Sequence, residues 1–229
     1  VKADGPNNDQ DAGPNPLLFT ASIIRNKALN QEFQLSSDFD GDTNFIVGTN
    51  YEHDRNRYKL GLFGALFGPL IVVTDSRDQT KSFSVFGEVY QKFLTDFTLT
   101  VGGRYTKDKR RHAFTNNPDA VLVFGETGAV QRASYNSFTP RVVLAYDAGN
   151  ANYYASFNRG VKAGGFNSPS YNSAPPVDPE KITAYEIGAK YVLLDRRLRL
   201  NIAAFHYDWS NLQVAVIEKC LAVLTEGMA

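Results

Sequence analysis

The chain has 229 residues, 43% of them hydrophobic, which is enough for a sizeable core or a lipid-facing band and excludes global disorder. Lys plus Arg and Asp plus Glu each number 24, so no net field exists to hold a nucleic-acid backbone. A single cysteine, Cys220, excludes disulfide frameworks and Cys-based zinc sites, and the longest apolar run, residues 60–73, is broken by Gly61, Gly64, Gly68 and Pro69 and is too short for a transmembrane helix. Sixteen Phe and 12 Tyr against one Trp favour β structure and membrane interfaces.

Residues 1–16 are rich in Asp, Asn, Gly and Pro, and residues 1–27 read as a loop or disordered lead-in. From about Ala28 onward apolar side chains recur at every second position in successive segments, the period of a strand. Phe97, Leu99, Val101, Gly103 and Tyr105 alternate with Thr98, Thr100, Gly102, Arg104 and Thr106. The same pattern marks 45–51, 138–146, 153–157 and 185–191. Segments 81–93 and 198–209 fit less cleanly, because Phe86 and Phe205 fall on the polar face, which leaves their phase open by one residue. About eight strands result.

The connections alternate between short and long. Turn chemistry sits at 38–43, 94–96, 147–150 and 194–197, and long loops are expected at 54–80, 110–134 and 163–181. A soluble sandwich gives no reason for that alternation, whereas an outer-membrane barrel has short periplasmic turns and long extracellular loops. Glu88, Arg104, Arg141, Glu186 and Lys190 occupy mid-strand positions on the polar face, which suits a wet or plugged lumen better than a dry core. Tyr90, Phe93, Phe97, Tyr146, Tyr153 and Tyr191 lie beside the short turns, as an interfacial girdle would. A soluble antiparallel sandwich shares the alternation and stays open on these grounds.

Four segments carry a resemblance: NQEFQLSSDFDGDTNFIVGTNYEHD, SFSVFGEVYQKFLTDFTLTVGGRYTKDKR, SFTPRVVLAYDAGNANYYASFNRGVKAGGFN and VDPEKITAYEIGAKYVLLDRRLRLNIAAFHYDWSNLQV. In this order they resemble successive parts of the β-barrel of TonB-dependent outer-membrane receptors, in particular the ferric-siderophore-receptor-like branch, over residues 28–216. The resemblance implies an all-β fold, a transmembrane antiparallel barrel of about 22 strands around a plug. At about 9 to 11 residues per strand, 22 strands need roughly 220 residues before any loop, so a chain of this length with its long loops supplies about eight strands, about a third of the barrel. The signal peptide, TonB-engaging motif, plug and closing strands are expected to lie elsewhere. Residues 217–229, which include EKCLAVLTEGMA, are expected to form a divergent or truncated tail. The implied partners are outer-membrane lipids, the TonB energy-coupling complex through the absent N-terminal part, and a ferric siderophore or similar large ligand, in the outer membrane of a Gram-negative bacterium. By itself the segment is not expected to transport.

Candidate sites are few. Asp38, Asp40 and Asp42 in SDFDGDTNF suggest a calcium loop, but Gly41 precedes Asp42 and the twelfth position is Thr49, so a polar hairpin turn is the better reading. His53, His112 and His206 share no ligand spacing, so no metal site and no cofactor is assigned. Arg110 and Arg111 in KDKRRH are candidates for contact with an anionic ligand or lipid phosphate, against a solvated strand end. Tyr171, in the loop that holds Pro175 and Pro176, is a third candidate ligand contact by resemblance. Gly164, Gly165 and Phe166 are read as a structural strand-exit turn, with glycine permitting a sharp bend. Residues 62–73 form an apolar insertion that packs into the barrel mouth, pairs as extra strand or contacts a hydrophobic substrate. No nucleophile elbow, phosphate loop or triad motif appears, so no enzyme is expected. The alternatives are a small self-closed porin-like barrel and a soluble carbohydrate-binding β-sandwich.

Overall fold

The computed structural model describes residues 2–4, 8–9, 19–64, 68–118, 120–121, 125–170 and 172–214. They contain one antiparallel sheet of ten strands: β1 (Lys2–Asp4), β2 (Asn8–Asp9), β3 (Phe19–Ser36), β4 (Thr43–Gly64), β5 (Gly68–Phe93), β6 (Phe97–Asn116), β7 (Gly128–Asp147), β8 (Ala151–Lys162), β9 (Glu180–Leu193) and β10 (Leu198–Ser210). Strands β3 to β10 neighbour one another in chain order, as hairpins joined by local turns dictate. The short pieces β1 and β2 pair with β3, and among the described residues β10 pairs with β9 alone.

The register turns the alternation of single strands into a continuous surface. Phe45, Val89, Val101, Val142, Phe157 and Tyr185 form one cross-strand row over six strands, each side chain opposite the next. Because the side-chain period is two, a slip of one residue anywhere would turn a whole strand's apolar set inward, so this row pins the register of the whole meander. The exposed large side chains of this face, Phe33, Leu35, Phe83, Val85, Phe138, Leu144 and Ile187 among them, have no protein partner layer. Such a surface is what hydrocarbon, not water, would cover.

At the short-turn end the face closes with an aromatic girdle. Phe93 stacks on Phe97 at 5.5 Å between centroids, Phe97 on Tyr146 at 4.6 Å, Tyr146 on Tyr153 at 6.2 Å, and Tyr153 meets Tyr191 edge-on at 5.8 Å. Tyr90 does not join it; the register places it on the opposite face, beside Glu88. That face carries paired charges: Arg141 Nε lies 3.4 Å from Glu88, Arg104 donates to Ser84 Oγ at 2.6 Å, and Tyr154 donates to Glu186 at 2.5 Å. Each of these half-exposed groups has a polar partner, as a wet lumen face allows. The guanidinium of Arg104 lies 5.1 Å from the Phe86 ring centroid, which explains an aromatic residue on the polar face. Both segments of open phase, 81–93 and 198–209, thus run in unbroken register, with Phe86 and Phe205 facing the polar side.

Three expectations change. The lead-in is not loop to residue 27, since β3 starts at Phe19 and pairs with β4 from Phe63 downward. The expected loop at 54–80 is mostly strand, because β4 runs to Gly64 and β5 starts at Gly68, and the pairing of Leu62 with Ile71 and Gly64 with Gly68 makes the described part of the apolar insertion, 62–64 and 68–73, extra paired strand. The loop at 110–134 likewise shortens, as β6 extends to Asn116 and β7 begins at Gly128. Strands of 20 to 26 residues far exceed the ~9–11 that cross a bilayer, so their upper halves stand above it. The connection from β8 to β9, residues 163–179, is the long one, and its described residues include a bridge between Gly165 and Val177. The tail 217–229 lies outside the described residues.

Candidate functional site

The loop 163–179 folds back over the polar face of β5, β6 and β7. Its central contact is Phe166, whose ring stacks on His112 of β6 at 5.6 Å, while Phe114 stacks on the same imidazole at 5.9 Å. His112 is fully buried, with Nδ1 2.7 Å from an Asp78 carboxylate oxygen directly across the ladder. Its Nε2 and the Nε of Arg110 have no hydrogen-bond partner among the described residues. Polar tethers complete the seat. The Thr74 hydroxyl donates to the Ser170 carbonyl at 3.1 Å, Gln131 donates to the Ala174 carbonyl at 2.9 Å, and Tyr135 donates to the Val177 carbonyl at 3.2 Å. Burial also raises the Tyr135 hydroxyl above its ordinary value.

Between this loop and the strands lies a recess of about 290 Å³, bordered by Glu52, Asp54, Asp78, Arg110, Phe166 and Ser168. Its carboxylates and hydroxyl-bearing walls give acceptors on one side and the Arg110 guanidinium on the other, so it suits a polar ligand with both donors and charged acceptors. Among the described residues no group of three or more His, Cys, Asp or Glu side chains is placed to hold a metal ion.

The structure separates two residues that stand side by side in the sequence. Arg110 faces the recess, and its guanidinium lies against Gly165. Arg111 sits one position along the same strand and therefore on the outward face, where it stands opposite Gln79 and Arg132. Their side chains thus leave β6 on opposite faces, although both residues border the recess beneath the loop. Gly164 and Gly165 are buried beneath the loop, and neither has a positive φ, so space and not backbone freedom is what they supply. A Cβ on Gly164 would collide with the Val177 carbonyl and stand 2.7 Å from the Tyr135 ring, and one on Gly165 would stand 3.0 Å from the Arg110 guanidinium. Tyr171 lies outside the described residues. Asp38, Asp40 and Asp42 stand in or beside the exposed turn before β4, in which Asn44 accepts from the Phe39 amide at 2.8 Å. Sequence reasoning missed His112 and Asp78, whose pairing appears only once the register of β5 and β6 is known.

The model of the family described as TonB dependent receptor-like, beta-barrel, matches residues 3–219. Among solved structures, the ferric yersiniabactin uptake receptor FyuA from Yersinia pestis superposes at a TM-score of 0.75 with 16% identity, over 93% of this chain and 32% of that one. The ferric citrate transporter FecA in its unliganded form gives a TM-score of 0.66 at 17% identity over 96% and 32%, and the copper transporter OprC 0.64 at 15% over 87% and 32%. The chain thus spans about a third of the length of the solved receptors it matches. No curated protein matches the sequence. Proteins of this family are transporters, not enzymes. By the match over residues 3–219, together with the open meander and its segregated faces, the chain belongs to the TonB-dependent receptor β-barrel family.

Proposed function

We propose that the chain builds part of the barrel wall of an outer-membrane TonB-dependent receptor that takes up a bulky, scarce nutrient, a ferric siderophore being the leading candidate. The observation that carries this reading is the polar recess under loop 163–179. It lies on the face opposite the apolar band, hence on the lumen side, and at the end away from the short turns. Lumen and outward mouth are where an incoming solute would first meet the wall. Glu52, Asp54, Asp78 and Arg110 are the side chains assigned to contact it, and the Phe166 loop is the element that would cover it. Coupling to TonB and the driven opening of a path would belong to parts of the receptor outside this segment.

A siderophore-receptor-deficient strain tests the proposal under iron starvation. The chain alone is expected to give no growth on ferric siderophores, because its wall leaves β10 without a second neighbour among the described strands. Extended by its flanking coding sequence, it is expected to give uptake that disappears when TonB is deleted. Uptake independent of TonB would refute the receptor reading in favour of a passive pore. The self-closed porin-like alternative requires β10 to pair with the first strands, and the described residues show no such pairing.

A further inference from the structure

The outward face above the apolar band is cationic. The register brings Lys27, Arg55, Gln79, Arg111 and Arg132 into one row across five strands. One row higher, Arg25, Arg57 and Arg77 stand side by side, and one row lower Lys81 stands opposite Lys109. Like charges directly opposite on neighbouring strands destabilise the pair, so a sheet that repeats them over three rows is incomplete without anions. Asp75 is the one carboxylate among the described outward side chains of this region. It is committed to Arg57, whose Nε donates to it at 2.8 Å.

Position and shape point to the same occupant. On β6 the apolar band runs from Phe97 to Tyr105, eight steps of about 3.4 Å, or roughly 20 Å along the membrane normal at a tilt of about 40°. The cationic rows therefore begin where hydrocarbon gives way to headgroups. A groove of about 480 Å³ opens on them, bordered by six cations, Arg25, Lys27, Arg55, Arg57, Arg77 and Arg111, against one acid, Asp78, whose side chain leaves β5 on the other face and meets His112. The other face of the same strand segments carries Glu52, Asp54, Asp78 and Asp108, so the cation excess belongs to one face and not to protruding strands in general. Arginine predominates, and its planar fork matches phosphate oxygens two at a time.

We propose that the outward face of β3 to β7, above the apolar band, is a binding surface for the phosphate-bearing headgroups of outer-leaflet glycolipids. The inference rests on the chain being barrel wall in an outer membrane, and it adds a lipid ligand on the side of the wall away from the nutrient. The phosphates neutralise the opposed cations and lock the tall β3–β7 hairpins upright, next to the recess on their other face.

The test uses the full chain in detergent micelles, titrated with phosphorylated outer-membrane glycolipid, with the same lipid stripped of phosphate, and with inorganic phosphate. Retention is read by native mass spectrometry. The row variant carries Lys27→Gln, Arg55→Gln, Arg111→Gln and Arg132→Gln; the control loses the same charge at the short-turn end through Lys92→Gln, Arg196→Gln, Arg197→Gln and Arg199→Gln. At about fivefold per cation, the row variant should bind phosphorylated lipid at least 100-fold more weakly, and the control within about threefold of the parent. Stripped lipid should bind all three weakly and alike, and millimolar inorganic phosphate should leave bound lipid in place. If the row variant loses its β spectrum, the pair Arg111→Gln and Arg132→Gln should still show about 25-fold. Equal binding by row variant and control, equal binding of stripped lipid, or displacement by inorganic phosphate would each overturn the inference. Failure of the chain to insert into vesicles of any composition would instead overturn the barrel-wall reading beneath it.

Discussion

His112 holds loop 163–179 against the wall, and its removal should release the loop by a calculable amount. The imidazole is fully buried, lies between the Phe114 and Phe166 rings at 5.9 and 5.6 Å, and meets Asp78 at 2.7 Å. His112→Ala deletes the ring on which Phe166 rests, and leaves a void beneath the loop. An aromatic pair is worth about 0.5–1.5 kcal/mol and a large-to-small change at a buried site about 2–5, so loop closure should weaken by about 2–4 kcal/mol after relaxation. At about 1.4 kcal/mol per decade, the open population rises roughly 30- to 700-fold. The amides of Gly165 and Val177 are direct reporters, since each donates to the other's carbonyl, at 3.1 and 2.8 Å, across the bridge that ties the two ends of the loop. Hydrogen exchange of the full chain in micelles should accelerate at these two amides by that factor and leave the β8–β9 ladder unchanged. His112→Phe, which keeps a ring of similar size, should cost at most about tenfold. Unchanged exchange in His112→Ala would show that the polar tethers alone seat the loop and would refute the latch.

Further outcomes follow from other parts of the sheet. Arginine placed at Val101, the middle of the apolar band, should cost about 2–4 kcal/mol of folding stability in vesicles, and at Tyr105, at the upper edge, about 0–1; equal costs would contradict the assigned depth. Thr95 in the β5–β6 turn has a φ of 62°, so Thr95→Gly should stabilise the hairpin by about 1 kcal/mol in denaturant titrations, and no gain would mean that the turn relaxes in solution. The hydrogen bond from Arg57, aided by its charge, holds the Asp75 carboxyl below the ordinary carboxylate range. A depressed folded-state value gives stability that is fully present above the unfolded value of about 4 and lost as pH falls through the folded one. Asp75→Asn should therefore lower the melting midpoint at pH 6 and lower it progressively less as pH falls below about 4; an equal drop throughout would remove the linkage.

The membrane-crossing half of the sheet is legible in the sequence because lipid and lumen impose opposite demands on alternate residues, as at Phe97 to Tyr105. Above the bilayer both faces meet water or another polar surface, so the apolar alternation stops while the backbone ladder continues. That is why residues 54–80 read as loop although Arg55, Arg57 and Arg77 sit in paired strand. The parity of Tyr105, carried upward by six residues, is enough to send Arg111 outward and Arg110 inward. The latch is out of reach for a different reason. His112 and Asp78 are 34 residues apart and meet only through the register, and Phe166 comes to them from a loop whose path no local pattern encodes. At Gly164 and Gly165 a sharp bend is what the pair of glycines suggests, but what forbids a side chain there is the neighbouring carbonyl and guanidinium and not the backbone angle.

The segregation of faces is tested most directly by lipid quenching at residues of opposite parity. With Cys220→Ser as background, single cysteines at Val89, Val101 and Val142, and at Ser84, Thr100 and Val143 on the same three strands, are labelled with a fluorophore in chain inserted into vesicles. Brominated acyl chains should quench the first three strongly and the second three weakly, while a water-soluble quencher should reverse the order, because the register places the two sets on opposite faces of β5, β6 and β7. Equal quenching of both sets by lipid, or strong aqueous quenching at Val101, would contradict a barrel wall with its apolar row in hydrocarbon.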